Sequence, residues 1–209
     1  MLIGCYNPSV ILTYIGICIS IMGILNAHDL KFAFMCLMIA GVCDMFDGPI
    51  ARKCKRDERG KAFGIQIDTL ADVTNFVVFP MVLLNAIAHT SSTDTGYAIY
   101  NAITIVISFL YVLAGIIRLA WFNITTDGHT EYYQGMPVTF ISVIMPLIYA
   151  ISMNSSYLKE IILGTMFTVA VLFVANIKIK KPRGKALLIF LVMGVLITIL
   201  LYRSMILGL

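Results

Sequence analysis

Long apolar runs, separated by short polar segments, make up most of the chain. A membrane-spanning helix needs roughly 20 mostly apolar residues, and by this criterion the sequence contains seven candidate spans. They cover about residues 9–27, 30–52, 64–89, 97–122, 136–154, 157–177 and 185–206. Because little sequence is left for a soluble domain, we predict an all-α fold, a polytopic transmembrane helical bundle of six to seven spans. Residues 1–209 are expected to form a single domain.

The composition agrees with a membrane location. Hydrophobic residues make up 60% of the chain and charged residues 12%, whereas roughly a quarter of the residues in soluble domains are charged. The first apolar run has no basic segment before it and no small-residue cleavage site after it, so we expect a retained span rather than a signal peptide. The five cysteines show no metal-ligand spacing, and we interpret them as packing residues.

Basic residues are concentrated at one set of helix ends. Twelve of the fifteen Lys and Arg residues lie at or just after the ends of predicted spans two, four and six. Cytoplasmic segments of membrane proteins carry an excess of Lys and Arg, so these segments are predicted to be cytoplasmic and the Lys-free HTSSTDTG loop to be outside. We therefore expect a multi-pass integral membrane protein with a cytoplasmic N-terminus.

Four aspartates interrupt the second and third predicted spans. Asp44 and Asp47 lie near the end of span two, and Asp68 and Asp72 lie near the start of span three. Residues three or four positions apart share a helix face, so each pair forms an acidic stripe. The same two stripes include Gly48, Ala51, Arg52 and Gly64. Ionisable residues within spans are rare and usually functional, which makes these stripes the candidate site.

The short segment between these spans makes their helices antiparallel neighbours, so the two acidic stripes are expected to face each other near the cytoplasmic face. Four carboxylates that close together cannot all stay ionised without cations between them. Oxygen ligands favour hard divalent ions such as Mg²⁺ or Mn²⁺, and several shared carboxylates suit two-metal phosphoryl chemistry. The alternative is a set of solvated helix-end charges paired with the basic segment, but such charges would not align by face and depth.

The aspartate stripes resemble the signature of the CDP-alcohol phosphotransferase family. That signature reads D-x2-D-G-x2-A-R followed downstream by G-x3-D-x3-D, and this sequence has every fixed position, from Asp44 to Arg52 and from Gly64 to Asp72. One departure is the segment KCKRDERGKAF between Arg52 and Gly64, which is longer than usual in the family. We expect this segment to be a basic loop with a short insertion.

The resemblance implies a role for each motif residue. Two divalent cations, Mg²⁺ or Mn²⁺, would be bound by Asp44, Asp47, Asp68 and Asp72 and would hold the pyrophosphate of a CDP-linked lipid. Asp72 would also be the general base. The nucleotide and its phosphates would be lined by Gly48, Ala51, Arg52 and Gly64, with Asn7 and Thr13 of the first span as further candidates. Family members also suggest a homodimer.

Three segments in the second half resemble the phosphatidylserine synthase subgroup of that family: RLAWFN, QGMP and IKIKKPRGK. This resemblance implies transfer of the phosphatidyl group of CDP-diacylglycerol to L-serine, giving phosphatidylserine and CMP. Arg118 and Asn123 are the candidate acceptor-binding residues, because a guanidinium can hold a carboxylate at two points. The alternative for Arg118 is a helix-end anchor at the lipid interface.

Other functions stay open from the sequence. The same reaction could use another acceptor, such as glycerol phosphate or inositol phosphate, and the subgroup's usual glycine is missing from Phe76–Pro80. A metal-ion transporter is a further alternative, although transporter sites favour the bilayer midplane and these acids lie near one face. The expected partners are the two substrates and membrane lipids, with no nucleic acid.

Overall fold

The computed structural model describes residues 4–88, 96–125, 132–180 and 185–206. Helices dominate these residues, and every predicted span corresponds to a helical segment. The helices are α1 (Pro8–Leu25), α2 (Leu30–Lys53), α3 (Glu58–Asp72), α4 (Phe79–Ala88), α5 (Gly96–Thr125), α6 (Ile141–Ser152), α7 (Leu158–Val174) and α8 (Lys185–Ile206). A π-helical segment, Val73–Val78, joins α3 to α4, and a 3-10 turn, Val138–Phe140, precedes α6. The predicted helical bundle is confirmed.

Three of the described helices are long and apolar enough to cross a membrane: Pro8–Leu25, Glu58–Ala88 and Ala98–Thr125. Two shorter apolar helices are Val138–Ser152 and Leu188–Arg203. Large apolar side chains on α5 point away from the protein, as in a helix that faces lipid, and Phe109 is 66% exposed. The number of crossings, six to seven, and the single domain stay predictions.

The third helix begins earlier than the sequence pattern suggested. Asp57 caps α3, because its carboxylate accepts a hydrogen bond from the backbone N–H of Gly60 at 2.9 Å. The helix therefore begins at Glu58 rather than at residue 64, and residues 54–57 alone separate α2 from α3. The expectation of a long basic loop was wrong: most of KCKRDERGKAF is helical. The predicted outer loop HTSSTDTG lies outside the described residues, except for its last glycine.

Helices α1 and α2 form a tight antiparallel pair. Asn7 caps α1 and Asp29 caps α2, and small residues let the helices approach closely. A Cβ atom at Gly23 would collide with the ring of Phe79 and with Cys36. Helix α1 packs against α3 as well as α2, so it holds the two aspartate-bearing helices in a fixed relation.

The π-helical segment directly follows Asp72 and has a local cause. Proline has no backbone N–H, so Pro80 cannot donate to the carbonyl of Phe76 four residues earlier. The hydroxyl of Tyr111 on α5 donates to that carbonyl instead, at 2.6 Å, and Tyr111 is fully buried. This bond satisfies an internal carbonyl and ties the helix that carries Asp72 to α5.

Two short strands pair beside the site: β1 (Tyr132–Gln134) and β2 (Lys178–Lys180) run antiparallel. The chain then turns at Gly135, whose φ of +76° favours glycine. A Cβ atom there would lie 2.5 Å from the carbonyl oxygen of Phe173. The backbone N–H of Gly135 bonds the carbonyl of Ile177, and that of Met136 bonds the carbonyl of Leu172. These contacts fix the segment that leads into the 3-10 turn.

Candidate active site

The aspartates of α2 and α3 converge as the motif spacing predicts. One carboxylate oxygen from each of Asp44, Asp68 and Asp72 lies within 4.8 Å of the others. Asp47 is buried, and its side chain interacts directly with that of Asp68. The four carboxylates therefore form one continuous acidic cluster between the two helices.

A cavity of about 750 Å³ opens on one side of the acidic cluster. Its polar end is formed by the cluster together with Arg52, Arg118 and Thr139, and the rest of its wall is apolar. That apolar wall comes from α2, α6 and α8 and includes Met45, Pro49, Val143, Ile144, Ile189, Phe190 and Met193. We call this space the large cavity. A polar head group and an apolar chain could both be accommodated in it.

A second cavity, of about 240 Å³, lies between α1, α2 and α3 on the other side of the cluster. We call it the small cavity. Five of the six residues predicted to line the nucleotide are in its wall: Thr13, Gly48, Ala51, Arg52 and Gly64. Asp47, Gly48, Arg52 and Asp68 also border the large cavity, so the acidic cluster and one cation stand between the two spaces.

Asn7 and Asn123 are placed differently from the other predicted site residues. The Oδ1 atom of Asn7 accepts bonds from the backbone N–H groups of Ser9 and Val10, each at 3.2 Å, which makes it a helix cap. Asn123 is exposed and donates to the hydroxyl of Thr69 at 2.9 Å. Neither asparagine is among the residues that line the two cavities, and their predicted binding roles stay predictions.

Arg118 points into the large cavity rather than out to the lipid interface. Its side chain is only 6% exposed. The Nε atom donates to the carbonyl of Met136 at 3.1 Å, and the guanidinium carbon lies 4.8 Å from the ring centroid of Phe122. The QGMP segment thus holds the arginine that the sequence suggested as an acceptor ligand, and the anchor alternative does not match this burial.

Arg56 and Thr139 are polar cavity residues that the sequence did not predict. Arg56 lines the small cavity, and its Nε atom is buried without a hydrogen-bond partner among the described residues. Its Nη1 atom lies 3.1 Å from where a Cβ atom at Gly64 would stand. Thr139 lines the large cavity and donates to Asp44 Oδ2 at 2.9 Å. Arg56 belongs to the segment expected to be a loop, and Thr139 is far from the motif in sequence.

The acidic cluster fits divalent cations. The Oδ1 atom of Asp72 is buried and has no hydrogen-bond partner among the described residues. A buried carboxylate oxygen without a donor is costly, and neighbouring carboxylates add like-charge repulsion. Cations bound between Asp72, Asp68 and Asp44 would relieve both costs, and all-oxygen ligands suit Mg²⁺ or Mn²⁺.

The helical bundle and its acidic cavity define the class of this protein. The sequence profile of the CDP-alcohol phosphatidyltransferase family matches residues 6–209, which is nearly the whole chain. The protein therefore belongs to the CDP-alcohol phosphatidyltransferase family, a family of membrane-embedded transferases.

Within this family, the chain is similar to several individual enzymes. The chain is 33% identical to archaetidylserine synthase of Methanothermobacter thermautotrophicus over 82% of its own length and 65% of that protein. It is 29% identical to CDP-diacylglycerol–serine O-phosphatidyltransferase of Helicobacter pylori over 85% of its length and 75% of the relative. For the Saccharomyces cerevisiae enzyme of the same name, identity is 29% over 54% of the chain and 40% of that protein. The chain thus spans less than two thirds of two of these three relatives.

Proposed function

We propose that this protein transfers the phosphatidyl group of CDP-diacylglycerol to L-serine, giving phosphatidylserine and CMP. The observation that carries the proposal is the position of the buried guanidinium of Arg118 in the same cavity as Asp44, Asp68 and Asp72. A cluster of aspartates beside the guanidinium of Arg118 suits an acceptor with two groups: a hydroxyl group for the aspartates and a carboxylate for the arginine. The three relatives above are all named for serine, as archaetidylserine synthase or as serine O-phosphatidyltransferases, which supports this choice of acceptor.

Asp72 is the proposed general base. Its Oδ1 atom is buried and has no described hydrogen-bond partner, so it is available to take the proton of the serine hydroxyl. The serine oxygen then forms a bond to the lipid-side phosphorus, and the bond from that phosphorus to the CMP oxygen breaks. Two divalent cations held by Asp44, Asp47, Asp68 and Asp72 would neutralise the charge on the phosphates as CMP leaves.

The small cavity is the proposed nucleotide site. Gly48 and Gly64 keep its walls close to the helix backbones, and Thr13 and Ala51 add little bulk. Arg52 borders both cavities, so its guanidinium is suited to the pyrophosphate, which must lie between the nucleotide and the lipid. Arg56 adds a second cation on the nucleotide side. This arrangement would leave the large cavity to the acceptor and the lipid chains.

Arg118 is the proposed ligand of the serine carboxylate. The backbone carbonyl of Met136 and the ring of Phe122 hold its guanidinium in one orientation, and a fixed planar guanidinium can bind a carboxylate at two points. A phosphorylated acceptor would need more positive charge than one arginine provides at this end of the cavity. Asn123 is exposed, so we propose that it contributes less to acceptor binding than the sequence suggested.

The proposal includes a membrane setting. The apolar wall formed by α6 and α8 would receive the lipid chains, and the basic ends of α2 and of the segment after α7 favour a site that faces the cytoplasm. Basic residues there would also attract anionic lipid head groups. A homodimer is proposed from family resemblance, and cross-linking in native membranes would test it.

A direct test is transfer by purified protein in detergent, supplied with CDP-diacylglycerol, Mn²⁺ and isotopically labelled L-serine. Labelled phosphatidylserine and an equal amount of CMP are expected, and chelation of the metal should stop both. A parallel panel would replace serine by glycerol 3-phosphate or inositol 1-phosphate. CMP release with a phosphorylated acceptor but not with serine would overturn the choice of acceptor while leaving the reaction class in place.

A further inference from the structure

Two threonine hydroxyls contact the aspartates of α2, each from a different part of the fold. Thr139, in the 3-10 turn before α6, donates to Asp44 Oδ2 at 2.9 Å. Thr13, on α1, donates to Asp47 Oδ2 at 3.0 Å. Each hydroxyl thus bonds one of the two carboxylate oxygens of its aspartate, the Oδ2 atom.

The aspartates of α3 have no comparable support. Among the described residues, no hydroxyl group donates to Asp68 or Asp72, and Oδ1 of Asp72 is buried without any partner. Among the described residues, threonine hydroxyls therefore hold the α2 half of the acidic cluster and not the α3 half.

We propose that Thr139 and Thr13 are positioning residues that orient the α2 carboxylates for metal binding, an inference that rests on the proposed metal role of the cluster. Groups that hydrogen-bond a metal ligand fix its orientation, and their loss commonly weakens metal affinity or activity about 10- to 100-fold. Each hydroxyl bonds Oδ2 of its aspartate, which leaves Oδ1 of that carboxylate for a cation.

The surroundings of Thr139 are rigid enough for this role. The turn at Gly135 and the backbone bond from Met136 to Leu172 anchor the segment that leads to Thr139. On the other side, the hydroxyl of Ser142 donates to the carbonyl of Thr139 at 2.6 Å. Hydrogen bonds to the backbone before and at Thr139 thus fix the place from which its side chain reaches Asp44.

The two threonines should differ in how strongly each orients its aspartate. A threonine hydroxyl has one hydrogen to donate. Thr139 has Asp44 as its described acceptor, whereas Thr13 has two: the carbonyl of Ser9 at 3.1 Å and Asp47 at 3.0 Å. Because Thr13 divides its hydrogen between two acceptors, its loss should affect the cluster less than the loss of Thr139.

The experiment measures Mn²⁺ binding to the full chain in detergent, without lipid or serine, by the loss of the free-ion electron paramagnetic resonance signal. Thr139→Val keeps the shape and removes the hydroxyl, and its Mn²⁺ affinity should fall about 10-fold or more. Thr139→Ser restores the hydroxyl and should restore affinity, and Thr13→Val should give a smaller loss. The matched control is Thr104→Val: Thr104 is fully buried, but its hydroxyl bonds only the carbonyl of Tyr100 among the described residues.

Unchanged Mn²⁺ affinity in Thr139→Val would overturn the inference, as would a Thr139→Ser variant as weak as the valine variant. If Thr139→Val does not fold, Thr139→Ala removes the same hydroxyl without a bulky replacement, and the same comparison with serine applies. The proposed function is tested by a separate result. A wild-type protein that binds Mn²⁺ but makes no phosphatidylserine would contradict the serine reaction, while the threonine series would still decide the positioning role.

Discussion

The two cavities beside the acidic cluster are built in different ways. The small cavity is formed by α1, α2 and α3, which follow one another in the chain, and its wall matches the motif spacing. The polar end of the large cavity combines α2 and α3 with α5 and the turn before α6. Some of its partners are therefore distant in sequence, and Asp44 and Thr139 are 95 residues apart. The contrast separates a proposed nucleotide side, which is local in the chain, from a proposed acceptor side, which forms only once the bundle has folded.

The largest effect is expected at Asp72, which lines the polar end of the large cavity. Asp72→Asn removes the proposed base and one negative charge without changing side-chain size, and transfer should fall about 10²- to 10⁴-fold. The rate of phosphatidylserine formation under saturating Mn²⁺ measures this change. Glu160→Gln is a control for the loss of an acid, because Glu160 is an exposed residue on α7. Normal turnover by the Asp72 variant would show that Asp72 is not the general base.

On the acceptor side, Arg118→Lys keeps the charge but loses the planar guanidinium and its bond to Met136. A hydrogen bond to a charged group contributes about 1.5–3 kcal/mol, so KM for serine should rise roughly 10-fold or more, since about 1.4 kcal/mol is a factor of ten. KM for CDP-diacylglycerol should change little. A variant that instead raises KM for the lipid, with serine unaffected, would assign Arg118 to the nucleotide side and reverse the comparison.

The contrast also explains which features could be predicted from the sequence. The motif places its acids and small residues on consecutive turns of two helices, so spacing alone predicts which of them share a face. The start of α3 was missed although the signal was present, since Asp57 is a typical N-cap residue three positions before Gly60. The charges and glycines around it were interpreted as a loop.

Contacts between residues that are distant in the chain could not be predicted from the sequence. Nothing in the local sequence pairs Thr139 with Asp44, because their approach depends on the turn at Gly135 and on the packing of α6 against α2. Arg118 was found through resemblance, but its burial and its bond to Met136 required the fold. Asn123 was selected with it because both belong to the RLAWFN segment at the inner end of span four. The structure separates them: Arg118 is buried in the cavity and Asn123 is exposed.

On the nucleotide side, Arg56→Gln removes the cation that the motif does not include. The Arg56 side chain is partly exposed, so its contribution should resemble that of accessible ion pairs, about 0.2–1 kcal/mol. KM for CDP-diacylglycerol should therefore rise about 2- to 5-fold, and KM for serine should stay the same. Arg59→Gln is the matched control, since Arg59 has the same charge, lies on the first turn of α3, and is exposed. Equal effects of the two variants would indicate general attraction of anionic lipid rather than a nucleotide contact.

The smallest effect is expected at Asn123, and it tests the boundary of the acceptor side. Asn123→Ala removes one exposed hydrogen bond to Thr69, and exposed substitutions of this kind usually change stability by less than about 0.5 kcal/mol. If the acceptor side ends at Arg118 and Phe122, KM for serine should change less than about 2-fold. A rise as large as that of Arg118→Lys would show that Asn123 turns inward when serine binds. The acceptor side would then extend one helical turn beyond the cavity, as the sequence first suggested.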